Sequence, residues 1–141
     1  MKSLHNIKIK NKKIVLRVDL NVPVTDGKIS DYSRINSVLP TINLLCNNKN
    51  KLFIIAHYGR PKGQINKKYS LEFLCNELKH ILNKEKIYFL NEYDDEAIKS
   101  KIEEMKYGDI CLFKNIRFNK EEETNDINFS KNLAQNFDFF V

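Results

Sequence analysis

The sequence predicts an open three-layer α/β sandwich built on a parallel sheet. Short apolar runs alternate along the chain with longer amphipathic stretches, which is the pattern of right-handed βαβ units. The 141 residues, 42% of them hydrophobic, fit one domain, which at this length buries roughly two thirds of its unfolded surface. In such sheets ligands bind beyond the carboxyl ends of the strands, so the residues that follow each strand are the candidates for function.

The first strand is predicted over Lys13–Leu20, and a turn-rich segment containing Asp26-Gly27 follows it. Asp31 has the residue type of a helix N-cap. Apolar residues then recur at helical spacing along one face of the predicted helix: Ile35, Val38, Leu39, Ile42 and Leu45. Pro40 lies within this pattern and predicts a kink or a break near Leu39.

The second strand is predicted over Lys51–Ala56, and it runs directly into a loop, His57–Gly63, that contains two glycines and a proline. A second helix is expected to begin at Ser70, because serine often caps helix N-termini. The residues that would face the core follow at helical spacing: Leu71, Leu74, Leu78, Ile81 and Leu82.

The rest of the chain repeats this alternation. Strands are predicted over Lys86–Leu90, Asp109–Phe113 and Phe137–Val141, and helices over Asp95–Met105 and Phe129–Asn136. Ala97, Ile98 and Ile102 form the apolar face of the first of these helices. The last strand reaches the final residue of the sequence, so we expect a sheet that is incomplete at its C-terminal edge.

Composition and motifs exclude several classes of protein. The longest apolar run, Leu52–Ala56, is far shorter than the roughly 20 residues of a membrane-spanning helix, and residues 1–13 lack the apolar core of a secretory signal. Three cysteines without a CxxC pair favour reduced thiols in a cytosolic protein. Neither GxxxxGK[ST] nor GxGxxG occurs, and metal-ligand spacing is absent, so no nucleotide or metal site is predicted in this chain.

The positive charge is built almost entirely from lysine. The net charge is +6, with 20 Lys and only 4 Arg. Dispersed lysines usually form a solvated surface, and the alternative function that this charge leaves open is a non-catalytic anion-binding or nucleic-acid-binding basic domain. Arginine differs because its planar group forms bidentate hydrogen bonds, so the four arginines are candidate ligand-binding residues: Arg17, Arg34, Arg60 and Arg117.

Polar side chains gather where the predicted strands end. Arg17, Asp19 and Asn21 alternate along the first strand, so their side chains share one face. A cation, a carboxylate and an amide there suit a small ligand with anionic groups and hydroxyls, whereas an Arg17–Asp19 ion pair is the structural alternative. Arg60 follows the second strand and Arg117 follows the fourth, which predicts that both lie at the same edge of the sheet.

Taken in order, these motifs closely resemble the amino-terminal half of the phosphoglycerate kinases. The matching segments are Val15–Pro23 (VLRVDLNVP), Asp26–Ile29 with Arg34 and Leu39–Ile42, His57–Gly63 (HYGRPKG), Tyr69–Leu71, Gly108-Asp109, Asn115–Phe118 (NIRF), Glu121–Glu123 and Asn125-Asp126. The resemblance covers nearly the whole chain, and a chance α/β domain would not reproduce so many ordered motifs.

The resemblance implies a Rossmann-like domain that binds phosphoglycerate through a basic patch, a separate nucleotide domain, and a hinge that closes the cleft between them. The implied reaction is phosphoryl transfer between 1,3-bisphosphoglycerate and ADP, giving 3-phosphoglycerate and MgATP in glycolysis. MgATP and MgADP would be co-substrates held outside this chain. The implied protein is cytoplasmic and usually monomeric, with no membrane or nucleic-acid partner.

The family's substrate-contacting positions carry over to ten residues of this sequence. They are Arg17, Asp19, Leu20, Asn21, Arg34, His57, Tyr58, Gly59, Arg60 and Arg117. The resemblance implies that Arg34 is catalytic and compensates charge on the transferring phosphoryl group. It also implies that Arg60 and Arg117 clamp the 3-phosphate, whereas Asp19 and Asn21 orient the hydroxyl and carboxylate end.

The sequence departs from the family pattern at three side chains and in its length. Leu20 and Tyr58 stand where Phe and Leu are common, and Lys114 stands where Glu is common, which reverses the local charge beside Arg117. The family pattern continues beyond Val141 with the rest of the substrate domain and the nucleotide domain. Residues 1–141 are therefore expected to be a partial phosphoglycerate-binding domain that is inactive alone.

Overall fold

The computed structural model describes residues 9–20, 22, 24–25, 28–56, 72–92, 94–114 and 134–141. Within these residues the elements are β1 (Lys13–Arg17), β2 (Val24–Thr25), β3 (Lys28–Ile29), α1 (Ser33–Asn47), β4 (Lys51–Ile55), α2 (Phe73–Ile81), β5 (Tyr88–Leu90), α3 (Asp95–Glu104), β6 (Ile110–Phe113) and β7 (Phe139–Phe140). The predicted loop His57–Gly63, the helix start at Ser70 and most of the predicted helix over Phe129–Asn136 lie outside the described residues.

Five of these strands form one sheet in the order β5-β6-β4-β1-β7. Each of its four neighbouring pairs is parallel, which confirms the predicted parallel α/β sheet. The chain first moves in one direction, from β1 to β4 and on to β5, and then returns through β6 to β7. Because βαβ crossovers are right-handed, this reversal moves the connecting segments from one face of the sheet to the other.

Two hydrophobic clusters lie on the two faces of the sheet. In β4, Leu52 and Ile54 belong to the cluster that contains buried residues of α1 and α2. Phe53 and Ile55, which alternate with them, belong to the cluster that contains Ile98 of α3. Because helices cover both faces, every residue of the strand interior can be apolar, and this explains the uninterrupted apolar runs in the sequence.

Helix α1 is a single helix of 15 residues that continues through Pro40, so the predicted break near Leu39 is wrong. Pro40 is exposed, and packing of the opposite face maintains the helix: Ile35, Ile42 and Leu45 are buried, as predicted. Asp31 is not the N-cap, because Tyr32 occupies that position. The Asp31 carboxylate instead accepts a hydrogen bond from the amide of Ser33 at 2.8 Å, so it caps the helix from one residue further out.

Within the described residues, the other two helices match their predicted apolar faces except at one position, and the predicted Leu71 lies outside those residues. Leu74 and Leu78 of α2 are buried, and Leu82 packs against the core, but Ile81, the last residue of the helix, is 36% exposed. Helix α3 ends one residue before the predicted Met105, and Asp94 caps its start by accepting a hydrogen bond from the amide of Ala97 at 2.8 Å.

Most strands are shorter than predicted. β1 ends at Arg17 instead of Leu20, although the amide of Val18 still donates to the carbonyl of Ile55 at 3.0 Å. β7 comprises only two residues of the predicted Phe137–Val141, and it pairs with β1 at the sheet edge. The segment predicted as a turn also contains an antiparallel strand pair, β2-β3.

Candidate functional site

The carboxyl ends of three strands lie together at one edge of the sheet. Arg17, the last residue of β1, is opposite Ile55, the last residue of β4. Ile54 is in turn opposite Leu112 of β6. The chain segments that leave β1, β4 and β6 therefore start side by side, and we call this side the carboxyl edge.

The strand alternation continues past the end of β1 and directs polar side chains outward. Arg17 and Asp19 are exposed, whereas Val18, Leu20 and Val22 are 8%, 0% and 2% exposed, as the sequence predicted. Leu20 was included among the substrate-contacting positions. Since its side chain is fully buried, only its backbone is available for such a contact.

Arg34 joins this group from the first turn of α1. Its Nη1 donates to Oδ1 of Asp19 at 3.3 Å, across 15 residues of sequence. The two side chains are 49% and 55% exposed, so solvent reaches the ion pair, and pairs of this kind contribute roughly 0–1 kcal/mol to stability. The sequence suggested Arg17 as a partner of Asp19 and did not indicate Arg34, because spacing along a strand carries no information about a helix that packs against it.

The start of α1 makes this part of the carboxyl edge electropositive. Helix N-termini carry partial positive charge from their unpaired amide groups, and the first turn of α1 contains Arg34 and no acidic residue. Asp31 lies just before the helix, and hydrogen bonds from Ser33 lower its pKa first, with a smaller contribution from the charge of Arg34. This combination of guanidinium and helix end is suited to binding an anion.

Six of the predicted site residues lie outside the described residues: Asn21, His57, Tyr58, Gly59, Arg60 and Arg117. The structure does constrain where their segments begin. Ala56, which directly precedes His57, is buried after β4. Lys114 follows β6 and donates its amide to the carbonyl of Leu90 at 2.9 Å. Both segments thus start at the carboxyl edge, one from β4, which neighbours the strand that positions Arg17, and one from β6, which is one strand further away.

The described part of the chain contains no group of three or more His, Cys, Asp or Glu side chains placed to hold a metal ion. None of the described helices is long and apolar enough to cross a bilayer.

Comparison with known proteins gives one consistent result. The family model described as phosphoglycerate kinase matches residues 4–141. The chain is similar to the phosphoglycerate kinase of Wolbachia pipientis wMel, with 44% identity over 99% of this chain and 34% of that protein. It is also similar to that of Prochlorococcus marinus, with 42% identity over 100% of this chain and 35% of that protein.

The solved structures agree with the sequence matches. Phosphoglycerate kinase from Coxiella burnetii superimposes with a TM-score of 0.84 at 34% identity, covering 98% of this chain and 34% of that chain. The enzyme from Pyrococcus horikoshii OT3 also gives 0.84, at 31% identity, covering 100% of this chain and 36% of that chain. The chain therefore spans about a third of the length of the relatives it matches.

Proposed function

This chain belongs to the phosphoglycerate kinase family, and from that premise we propose that its residues bind the phosphoglycerate in phosphoryl transfer. The proposed reaction exchanges a phosphoryl group between 1,3-bisphosphoglycerate with MgADP and 3-phosphoglycerate with MgATP. Residues 1–141 would form part of the substrate domain, and the nucleotide would be held by sequence corresponding to the remaining length of the relatives. We also propose the cytoplasm as the location and a monomer as the working form.

The observation that carries the proposal is the meeting of Asp19 and Arg34 at the carboxyl edge, at 3.3 Å. The site combines cations for the anionic groups of a phosphoglycerate with a carboxylate that can accept a hydrogen bond from its hydroxyl. Arg17 lies at the end of the same strand, the segment bearing His57–Arg60 follows the neighbouring strand β4, and the segment bearing Arg117 follows β6, one strand further away. These are the ligand-binding positions of open α/β sheets.

In this proposal the chain contributes positioning and charge compensation. Phosphoryl transfer involves little covalent chemistry by the protein, since the barrier falls when the reacting groups are aligned and the charge on the equatorial oxygens is neutralised. Arg34 is the proposed catalytic residue, because its side chain projects from a helix end that is itself electropositive. Arg60 and Arg117 are the proposed clamp for the 3-phosphate.

The proposal is tested by titrating the 15N-labelled chain with 3-phosphoglycerate at constant ionic strength. We expect saturable chemical-shift changes at Arg17, Arg34 and neighbouring amides, with millimolar or tighter affinity. Arg34→Met should weaken binding at least tenfold, as expected when a charge-assisted hydrogen bond is lost. Lys86→Met is the matched control, because it removes the same charge far from the site. Lys86 precedes β5 and lies over the ring of Tyr88, at the edge where the strands begin, which we call the amino edge.

Two outcomes would contradict the proposal. The first is the absence of any response to millimolar 3-phosphoglycerate, and the second is equal weakening by the Arg34 and Lys86 substitutions. A coupled kinase assay tests the proposed division of labour, since we expect the 141 residues alone to give turnover at the level of the blank.

A further inference from the structure

We propose that Asp19 is the counter-ion of Arg34 in the ligand-free chain, and that an anion reaches Arg34 by displacing this carboxylate. Asp19 is then a positioning residue, which orients the guanidinium and sets how readily a simple anion can occupy its place. The inference rests on the proposed function, because it assigns a role to a residue of the same site.

The geometry places the carboxylate where an anionic ligand would bind. Asp19 Oδ1 accepts from Nη1 of Arg34 at 3.3 Å, and this terminal nitrogen is one that guanidinium groups use to bind phosphate or carboxylate. Both side chains are about half exposed, so a ligand can approach from solvent without the core opening. A ligand oxygen on that nitrogen would therefore compete directly with Asp19.

Electrostatics explains why Arg34 needs a counter-ion. A cation in the first turn of a helix is disfavoured by the partial positive charge of the N-terminus, and the first turn of α1 offers no acidic residue in compensation. Asp19 reaches this position from the segment that follows β1, and therefore from a different element of the fold. Without it, the local positive charge would increase and attract small anions more strongly.

Among the described residues, Asp31 is a second carboxylate near Arg34, and it is already hydrogen-bonded. Its Oδ1 accepts hydrogen bonds from both the amide and the hydroxyl of Ser33, and these bonds are the largest causes of its lowered pKa. Arg34 contributes to the lowered pKa of Asp31 through its charge. Asp19 is the carboxylate that shares an ion pair with Arg34, so its removal should act on Arg34 directly, and Asp31 provides a test of general charge effects.

The displacement predicts an unusual result, in which removing a site residue strengthens the binding of a simple anion. Asp19→Asn should tighten the binding of inorganic phosphate by about 1.5- to 5-fold, the range expected from the loss of an exposed ion pair. 3-Phosphoglycerate should gain less than inorganic phosphate does, because its hydroxyl can donate to the carboxylate that the substitution removes. The affinity for 3-phosphoglycerate divided by the affinity for inorganic phosphate should therefore be lower in Asp19→Asn than in the wild-type chain.

The experiment is an NMR titration of the full 141-residue chain with inorganic phosphate at constant ionic strength. The Nε–H signal of Arg34 is followed directly and is assigned by its loss in Arg34→Lys. Glu104→Gln is the matched control, because it removes the same charge from a similarly exposed carboxylate, which pairs with Lys101 at 2.9 Å. Glu104 ends α3 and lies toward the amino edge of the sheet.

We expect the dissociation constant for phosphate to be lower in Asp19→Asn than in the wild-type chain. Before phosphate is added, the Arg34 Nε–H signal of Asp19→Asn should already differ from its wild-type position. Glu104→Gln and Asp31→Asn should each change phosphate affinity by less than about 1.5-fold. Unchanged or weaker phosphate binding in Asp19→Asn overturns the inference, and so does an equal gain in either control. Failure of the wild-type chain to bind 3-phosphoglycerate would instead count against the proposed function, so the two failures are distinguishable.

Discussion

Replacing Asn50 with alanine is expected to destabilise the fold by about 3 kcal/mol. Asn50 is fully buried, and its Nδ2 donates to the carbonyl oxygens of Ile9 at 2.9 Å and Leu45 at 2.8 Å. Its Oδ1 accepts from the amide of Lys12 at 3.0 Å. Leu45 lies in the last turn of α1, where carbonyl groups have no partner within the helix. One side chain thus joins the entry to β1, the end of α1 and the start of β4.

The magnitude follows from these three hydrogen bonds. Each contributes about 0.5–1.5 kcal/mol, and a buried group left unpaired costs about 1–3 kcal/mol. The bond to Lys12 is only partly buried, so water can replace it, whereas the two bonds to carbonyls are buried. The expected loss is therefore about 2–5 kcal/mol. With a urea slope of about 1–3 kcal/mol per molar, the unfolding midpoint should fall by about 1–3 M.

The assay is urea unfolding of the 141-residue chain, followed by far-UV circular dichroism. Asn43→Ala is the control, because Asn43 lies on the exposed face of α1. The free energy of unfolding of this variant should stay within about 0.5 kcal/mol of wild type. Asn50→Asp should be more destabilising than Asn50→Ala, because a carboxylate cannot donate to the two carbonyls and would bury a charge. An Asn50→Ala variant within about 1 kcal/mol of wild type would refute the reasoning.

Two further predictions concern α1. Pro40 has no amide hydrogen for the carbonyl of Asn36, so Pro40→Ala should raise stability by about 1–2 kcal/mol and the Tm by about 3–6 °C; a lower Tm would contradict this. Burial raises the pKa of the Cys46 thiol from 9.0 to about 11, so at pH 8 it should react with a disulfide reagent roughly 100-fold more slowly in the native chain than in urea. The pKa of this thiol is higher in the folded state than in the unfolded state. The thiol therefore contributes to the free energy of unfolding below pH 9, and this contribution should be lost as the pH rises toward 11. Cys46→Ala should reduce that loss.

The parallel sheet was predictable because its cause is visible in the sequence. Strands covered on both faces are apolar throughout, and β4 and β6 are buried along nearly their whole length. The errors arise where tertiary structure overrides a local signal. Pro40 suggests a break, but the buried face of α1 holds the helix together. Ile81 has core-like spacing but is the last residue of α2 and is exposed.

The candidate site was predictable at the level of strand ends but not of contacts. Position after a strand indicated that Arg17 and Asp19 lie at the carboxyl edge, and the alternation of buried and exposed residues indicated which way they point. The contact between Asp19 and Arg34 depends on how α1 packs against the sheet, and no periodicity encodes that angle. The sequence did contain one indication of this ion pair. The first turn of α1 contains an arginine and no acidic residue, so a carboxylate from another element would be favourable beside it.

Four of the described lysines and two arginines have different uses at opposite edges of the sheet. Lys51 and Lys84 donate to the carbonyl oxygens of Ile102 at 2.6 Å and Gly108 at 2.8 Å. Both lysines precede or begin strands and so lie toward the amino edge. Lys86 and Lys101 lie over the ring of Tyr88, at 4.3 and 5.2 Å from its centre. These ammonium groups are engaged in holding the fold, whereas Arg17 and Arg34 lie at the carboxyl edge. Part of the positive charge therefore belongs to lysines with structural contacts, and the two arginines form a small separate site, which favours one small anionic ligand over an extended polyanion.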